Sequence, residues 1–146
     1  MLRFLLIFLF PLIQISPTWE SNFDVAKQRS IKENKIILIH FVHKSRDAKN
    51  VKLEKALFET SEFIDYANKQ VVLLKIDLGI ERSGVSEKQY YHNSILLERY
   101  NNNMLAPFTI ITDTEGNILK RWNHEQPIVA NDFIRSIHES IEAHKQ

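Results

Sequence analysis

The chain has 146 residues, enough for one domain with a packed core and too few for two. Its 44% hydrophobic and 25% charged content, with only three glycines, places it among globular proteins and away from disordered or collagen-like chains. It contains no cysteine, which excludes disulfides, thiolate metal sites, cysteine nucleophiles and dithiol redox chemistry, and its formal charge of +1 gives no electrostatic footprint for nucleic acid.

Arg3, an almost wholly apolar run over 4–15, and then Ser16, Pro17 and Thr18 read as a secretory signal peptide over residues 1–18. A run of about 12 apolar residues suits the hydrophobic part of a signal, whereas a membrane-spanning helix takes about 20. Cleavage just before Trp19 removes Arg3 and no acid, leaving a formally neutral domain over 19–146 with no membrane attachment; a retained N-terminal anchor is the alternative. The expected location is outside the cytoplasm: periplasm, secretory pathway or extracellular space.

Within the mature chain, residues 23–34 form a modest amphipathic helix carrying Phe23, Ala26 and Ile31, with Asn34 and Lys35 to end it. The run KIILIHFV over 35–42 has the continuous apolar character of a strand covered on both faces. From 48 to 58 the pattern turns helical, with Asp47 as N-cap and Asn50 as a polar surface residue of the first turn, and a second short helix starts at Ser61. VVLLKID over 71–77 is another buried strand, so a parallel, right-handed crossover unit is in place. Residues 78–92 read as a loop and 94–100 as a short helix ended by three asparagines. FTIIT (108–112) and ILKRW (118–122) flank turn residues and predict an antiparallel hairpin. A last helix, capped by Asn131 or Asp132, carries Phe133, Ile134, Ile137 and Ile141.

The six histidines are His40, His43, His92, His124, His138 and His144. Only His40 and His43 are near one another in sequence, and strand alternation turns that pair to opposite faces, so no metal site is expected. No cofactor is expected either. His43 with Asp47 is a conceivable acid–base pair, with Ser45 as the sole accompanying nucleophile. Lys44, Arg46 and the helix start could attract an anion, although a solvated charged loop is the preferred reading.

The element order, a parallel half followed by a hairpin and a closing helix, is that of an α/β thioredoxin-like fold with a central mixed sheet of about four strands. The residues agree: Trp19, Ala26, Asn34-Lys35, Phe41, Lys52-Leu53-Glu54 and Phe58, then Phe63 and Asp77, then Leu97, Tyr100, Pro107, Asp113 and Gly116. On these the chain resembles the exported thioredoxin-like family related to the C-terminal domain of the disulfide interchange protein DsbD. The resemblance places the family's two redox cysteines at Asp47 and Asn50, and Arg46 at the preceding tryptophan. It sets Phe41 where thioredoxin has a buried carboxylate, and implies a cis bond before Pro107, with the backbone of Ala106 pairing with bound polypeptide.

Thiol exchange needs one thiolate to attack and a second thiol to resolve. With neither, the expected function is a redox-inactive polypeptide- or protein-binding module, with no catalytic residues and a partner groove made by His43, Arg46, Asp47, Asn50, Ala106 and Pro107. Two other readings stay open: an enzyme with non-thiol chemistry at the remodelled 43–50 loop, and a structural or assembly domain using the 78–92 region with Tyr90 and Tyr91.

Overall fold

The β-branched runs at 36–42 and 71–77 pair in parallel over their whole length, from Ile36 opposite Val71 to Val42 opposite Asp77. They form the centre of the computed structural model, which describes residues 16–43, 47–79 and 86–145; residues 1–15 of the expected signal segment and Lys44, Ser45 and Arg46 lie outside them. In chain order the elements are β1 (Trp19–Glu20), α1 (Phe23–Glu33), β2 (Ile36–Val42), α2 (Ala48–Leu57), α3 (Ser61–Gln70), β3 (Val71–Asp77), α4 (Glu87–Tyr100), β4 (Phe108–Thr112), β5 (Ile118–Trp122) and α5 (Ala130–His144). The sheet order is β1-β3-β2-β4-β5, with β4 antiparallel to β2 and β5 antiparallel to β4.

The helix ends follow local side-chain chemistry. Asn22 caps α1 by accepting from the N–H groups of Asp24 and Val25, and Asn34 closes it in the left-handed conformation at φ 53°. Asp47 caps α2 and Thr60 caps α3. Asn101 ends α4, and its side chain grips the next loop from both sides, accepting from the Leu105 N–H and donating to the Leu105 carbonyl.

Three expectations are corrected. The sheet has five strands rather than about four, because Trp19 and Glu20 pair with Leu73 and Leu74 at the free edge of β3; a two-residue strand leaves no periodicity to read. The helix expected at 94–100 starts at Glu87, so Tyr90 and Tyr91 are helical rather than in a loop. Its polar first turns are tied down by tertiary bonds, Gln89 to the Ser21 carbonyl and the Phe23 N–H to His92. Finally, α5 begins at Ala130 with Val129 at the cap position and no side-chain cap bond, so neither Asn131 nor Asp132 is the cap; Asp132 pairs instead with Arg135 one turn on.

Strand alternation divides the core in two. Ile37, Ile39 and Phe41 face α1 and α4 with Phe23, Leu96 and Tyr100, while Leu38 faces α2, α3 and α5 with Leu57, Phe63 and Phe133. Phe133 is the hub of the second side, with ring centroids 5.8 Å from Phe58, 6.1 Å from Phe63 and 4.9 Å from Trp122. Phe133→Ala is therefore expected to cost about 3–5 kcal/mol in urea unfolding, against a change within about 0.5 kcal/mol for Val129→Ala at the exposed start of α5. Similar midpoints for the two variants would show that this hub does not hold the sheet to the helices.

Candidate functional site

The strand register brings three connections to one end of the sheet. Phe41 lies opposite Phe108, so the chain leaving β2 and the chain entering β4 run side by side, and continuing that register sets Ala106 across from His43. Thr109 lies opposite Trp122, so the chain leaving β5 departs at the same end.

Five of the six expected groove residues have a definite place. His43 is half-buried just past β2, and Arg46 lies outside the described residues. Asp47 is exposed at the α2 cap, accepting from the Lys49 N–H at 2.8 Å and the Asn50 N–H at 3.3 Å. Ala106 is half-buried and packs on the α1 and α4 side of the core, and Pro107 is buried after a cis peptide bond. Asn50, expected at the surface, is only 2% exposed, because the third residue of α2 turns inward over the sheet.

Asn50 is buried because it belongs to a polar chain running across the domain. Its Nδ2 donates to Glu54 Oε1 at 2.9 Å, which turns its Oδ1 toward His40 Nε2 at 3.2 Å. His40 therefore carries its proton on Nε2, and Nδ1 accepts from the Thr109 hydroxyl at 2.9 Å. Thr109 Oγ1 in turn accepts from His124 Nε2 at 2.7 Å. Every group donates in one direction, and the chain ends on the Glu54 carboxylate, which also accepts from Lys75 at 2.8 Å. At the opposite end His124 Nδ1 is buried without a hydrogen-bond partner among the described residues. Trp19 closes the Glu54 end, with the Lys75 ammonium 4.9 Å from its ring centroid.

These contacts keep both imidazoles neutral. Burial, then the neighbouring His124 and Lys75, push His40 down to about 3, against the raising effect of its bond to Asn50. Burial and the charge of Lys49 push His124 down to about 4.

At Phe41, where the resemblance sets thioredoxin's buried carboxylate, the side chain does not face Asn50; the neighbouring His40 does. Phe41 points to the opposite face, into the α1 and α4 core, because strand neighbours alternate. A titratable ring inside KIILIHFV was the available signal for His40. Nothing local marked Thr109, Glu54, Lys75 or His124, which tertiary structure assembles. Among the described residues no group of three or more histidine, aspartate or glutamate side chains gathers as metal ligands, and no helix is long and apolar enough to cross a membrane.

No protein-family model and no curated protein sequence matches the chain. Solved structures do. DsbH oxidoreductase superposes with a TM-score of 0.78 at 20% identity, over 91% of this chain and 90% of that one. A putative disulphide-isomerase from Bacteroides thetaiotaomicron gives 0.61 at 18% identity, over 87% and 94%. The oxidised C-terminal domain of DsbD from Neisseria meningitidis gives 0.57 at 10% identity, over 84% and 99%. The chain has the thioredoxin-like fold of these disulfide oxidoreductases and, lacking cysteine, no C-x-x-C motif.

Because both histidine pKa values fall below the unfolded value of about 6.5, the unfolded chain binds the extra protons. The stability from their neutrality is fully present above pH about 6.5 and is lost as pH falls toward the folded values near 3 and 4. Urea unfolding between pH 7.5 and 5 should show a slope approaching about 1.4 kcal/mol per pH unit for each histidine, flattened in His40→Gln. Equal slopes in the two proteins would contradict the neutral relay. Separately, Asp47→Cys with Asn50→Cys should form an intramolecular disulfide under oxidising conditions, since the cap and third residue of a helix start lie within disulfide reach. Thiols that stay free would mean that the lost motif lies elsewhere.

Proposed function

We propose that the chain is an exported thioredoxin-like domain without redox activity that binds an extended polypeptide, from a protein partner, across Asp47 to Asn50 and along Ala106 and Pro107. The observation that carries this reading is the backbone of Ala106. Its N–H and C=O have no hydrogen-bond partner among the described residues, while the adjacent Leu105 is fixed through both of its backbone groups by the Asn101 side chain. A rigidly held, half-exposed residue with unpaired backbone groups is a template for an added strand. Exposed Met104 and Leu105 flank it with apolar surface for the side chains of such a strand. The export part of the proposal rests on the signal-like segment over 1–18.

The first turn of α2 suits recognition better than chemistry. The Asp47 carboxylate is committed to backbone N–H groups, and the inward-facing amide of Asn50 is committed to His40 and Glu54. A photo-crosslinking residue at position 105 should capture a partner in the protein's native compartment, and Ala106→Pro, which removes the N–H, should cut that yield about tenfold, the worth of a hydrogen bond or two in a desolvated contact. Capture from position 91 on α4 with none from 105 would overturn the proposal.

A further inference from the structure

Between the C-terminal end of α4 and the connection that follows β5 lies a cavity of about 750 Å³. Arg99 of α4 and Arg121 of β5 line it, together with asparagine and glutamine amides, the Trp122 ring and the neutral His124; no aspartate or glutamate does. Neither arginine has a carboxylate within ion-pair distance among the described residues, whereas Arg29, Lys35, Lys75, Arg135 and Lys145 all do. Both arginines are exposed, and in a chain of almost balanced charge they make a local positive excess on a concave surface. Leu105 and Phe108, on either side of Ala106 and Pro107, belong to the cavity wall, so the cavity opens directly beside the unpaired backbone of Ala106.

We infer that this cavity takes the carboxylate side chains of an acidic, extended polypeptide. The inference rests on the binding of polypeptide along Ala106 and names the class of sequence bound there. A strand added along Ala106 sends every second side chain to the same side. An acidic residue at those positions meets a concave surface lined by Arg121, by Arg99, whose guanidinium lies 4.9 Å from the Tyr100 ring centroid, and by side-chain amides that supply further N–H groups. Arginine neighbours without carboxylate partners of their own lose no existing ion pair when the ligand arrives.

The test uses the full domain, a labelled peptide alternating valine with glutamate, and the same peptide with glutamine in place of glutamate, followed by fluorescence anisotropy at low salt. The glutamate peptide should bind about tenfold more tightly, with the preference shrinking as salt rises and vanishing in Arg99→Gln/Arg121→Gln, which replaces only exposed side chains and leaves the glutamine peptide's affinity unchanged. Equal binding of the two peptides, or a preference that survives the double substitution, would overturn the inference while leaving the Ala106 reading in place. A preference that persists undiminished in Ala106→Pro would keep the carboxylate cavity and remove the added-strand reading. Displacement of the peptide by free glutamate at equal concentration would identify a small carboxylate as the ligand and overturn the polypeptide assignment. Failure of both peptides to bind would overturn it as well.

Discussion

Burying the His40 ring at the centre of β2 takes both of its nitrogens out of water, and a buried polar group without a partner costs a few kcal/mol. Much of the domain's internal arrangement answers that requirement. Thr109 stands across the strand pair to serve Nδ1, and Asn50 reaches down from the first turn of α2 to serve Nε2. Glu54 then satisfies the Asn50 amide, Lys75 neutralises Glu54, and Trp19 covers the pair. One polar ring in an apolar strand thus fixes the start of α2, the first turns of β4 and the edge strand β1 relative to one another.

The division of the core into two sides makes this arrangement possible. Phe41, on the other face of β2, faces the α1 and α4 side, so the polar chain from His40 runs through the α2, α3 and α5 side. The rings of Phe58 and Phe133 exclude water around it, at 4.8 Å from His40 and 6.2 Å from His124. Low local polarity strengthens each hydrogen bond in the series and keeps both imidazoles neutral.

This end of the sheet offers a capped helix, an inward-bound amide and, at Ala106, a backbone without hydrogen-bond partners among the described residues. None of these can exchange electrons or form a covalent bond with a thiol, whereas each is compatible with holding a chain in place. On the proposed reading, the arginine-lined cavity beside Ala106 adds charge selection to backbone pairing, two independent sources of specificity for one extended ligand.

The sequence by itself determined the class of fold and most of its elements, because β-branched runs, helical periodicity and capping residues act over a few residues and are written locally: β3, β4 and β5 fall at the expected bounds, and Asp47 and Asn34 end their helices as their chemistry dictates. It also determined that no thiol chemistry takes place. What it did not reveal depends on residues far apart in the chain. The polar start of α4 is helical because Ser21 and Phe23 hold it, with Ser86 capping it by accepting from the Gln89 N–H. Trp19 is in a strand only because β3 offers it an open edge. Asn50 is buried rather than exposed because His40, ten residues earlier, needs its oxygen, and the partner of His124 is fixed by the β4–β5 register. Only the tertiary structure decided these, since a hydrogen bond between separated elements, or a cavity between a helix end and a distant loop, exists once folding has set the distances and leaves no periodicity in the chain.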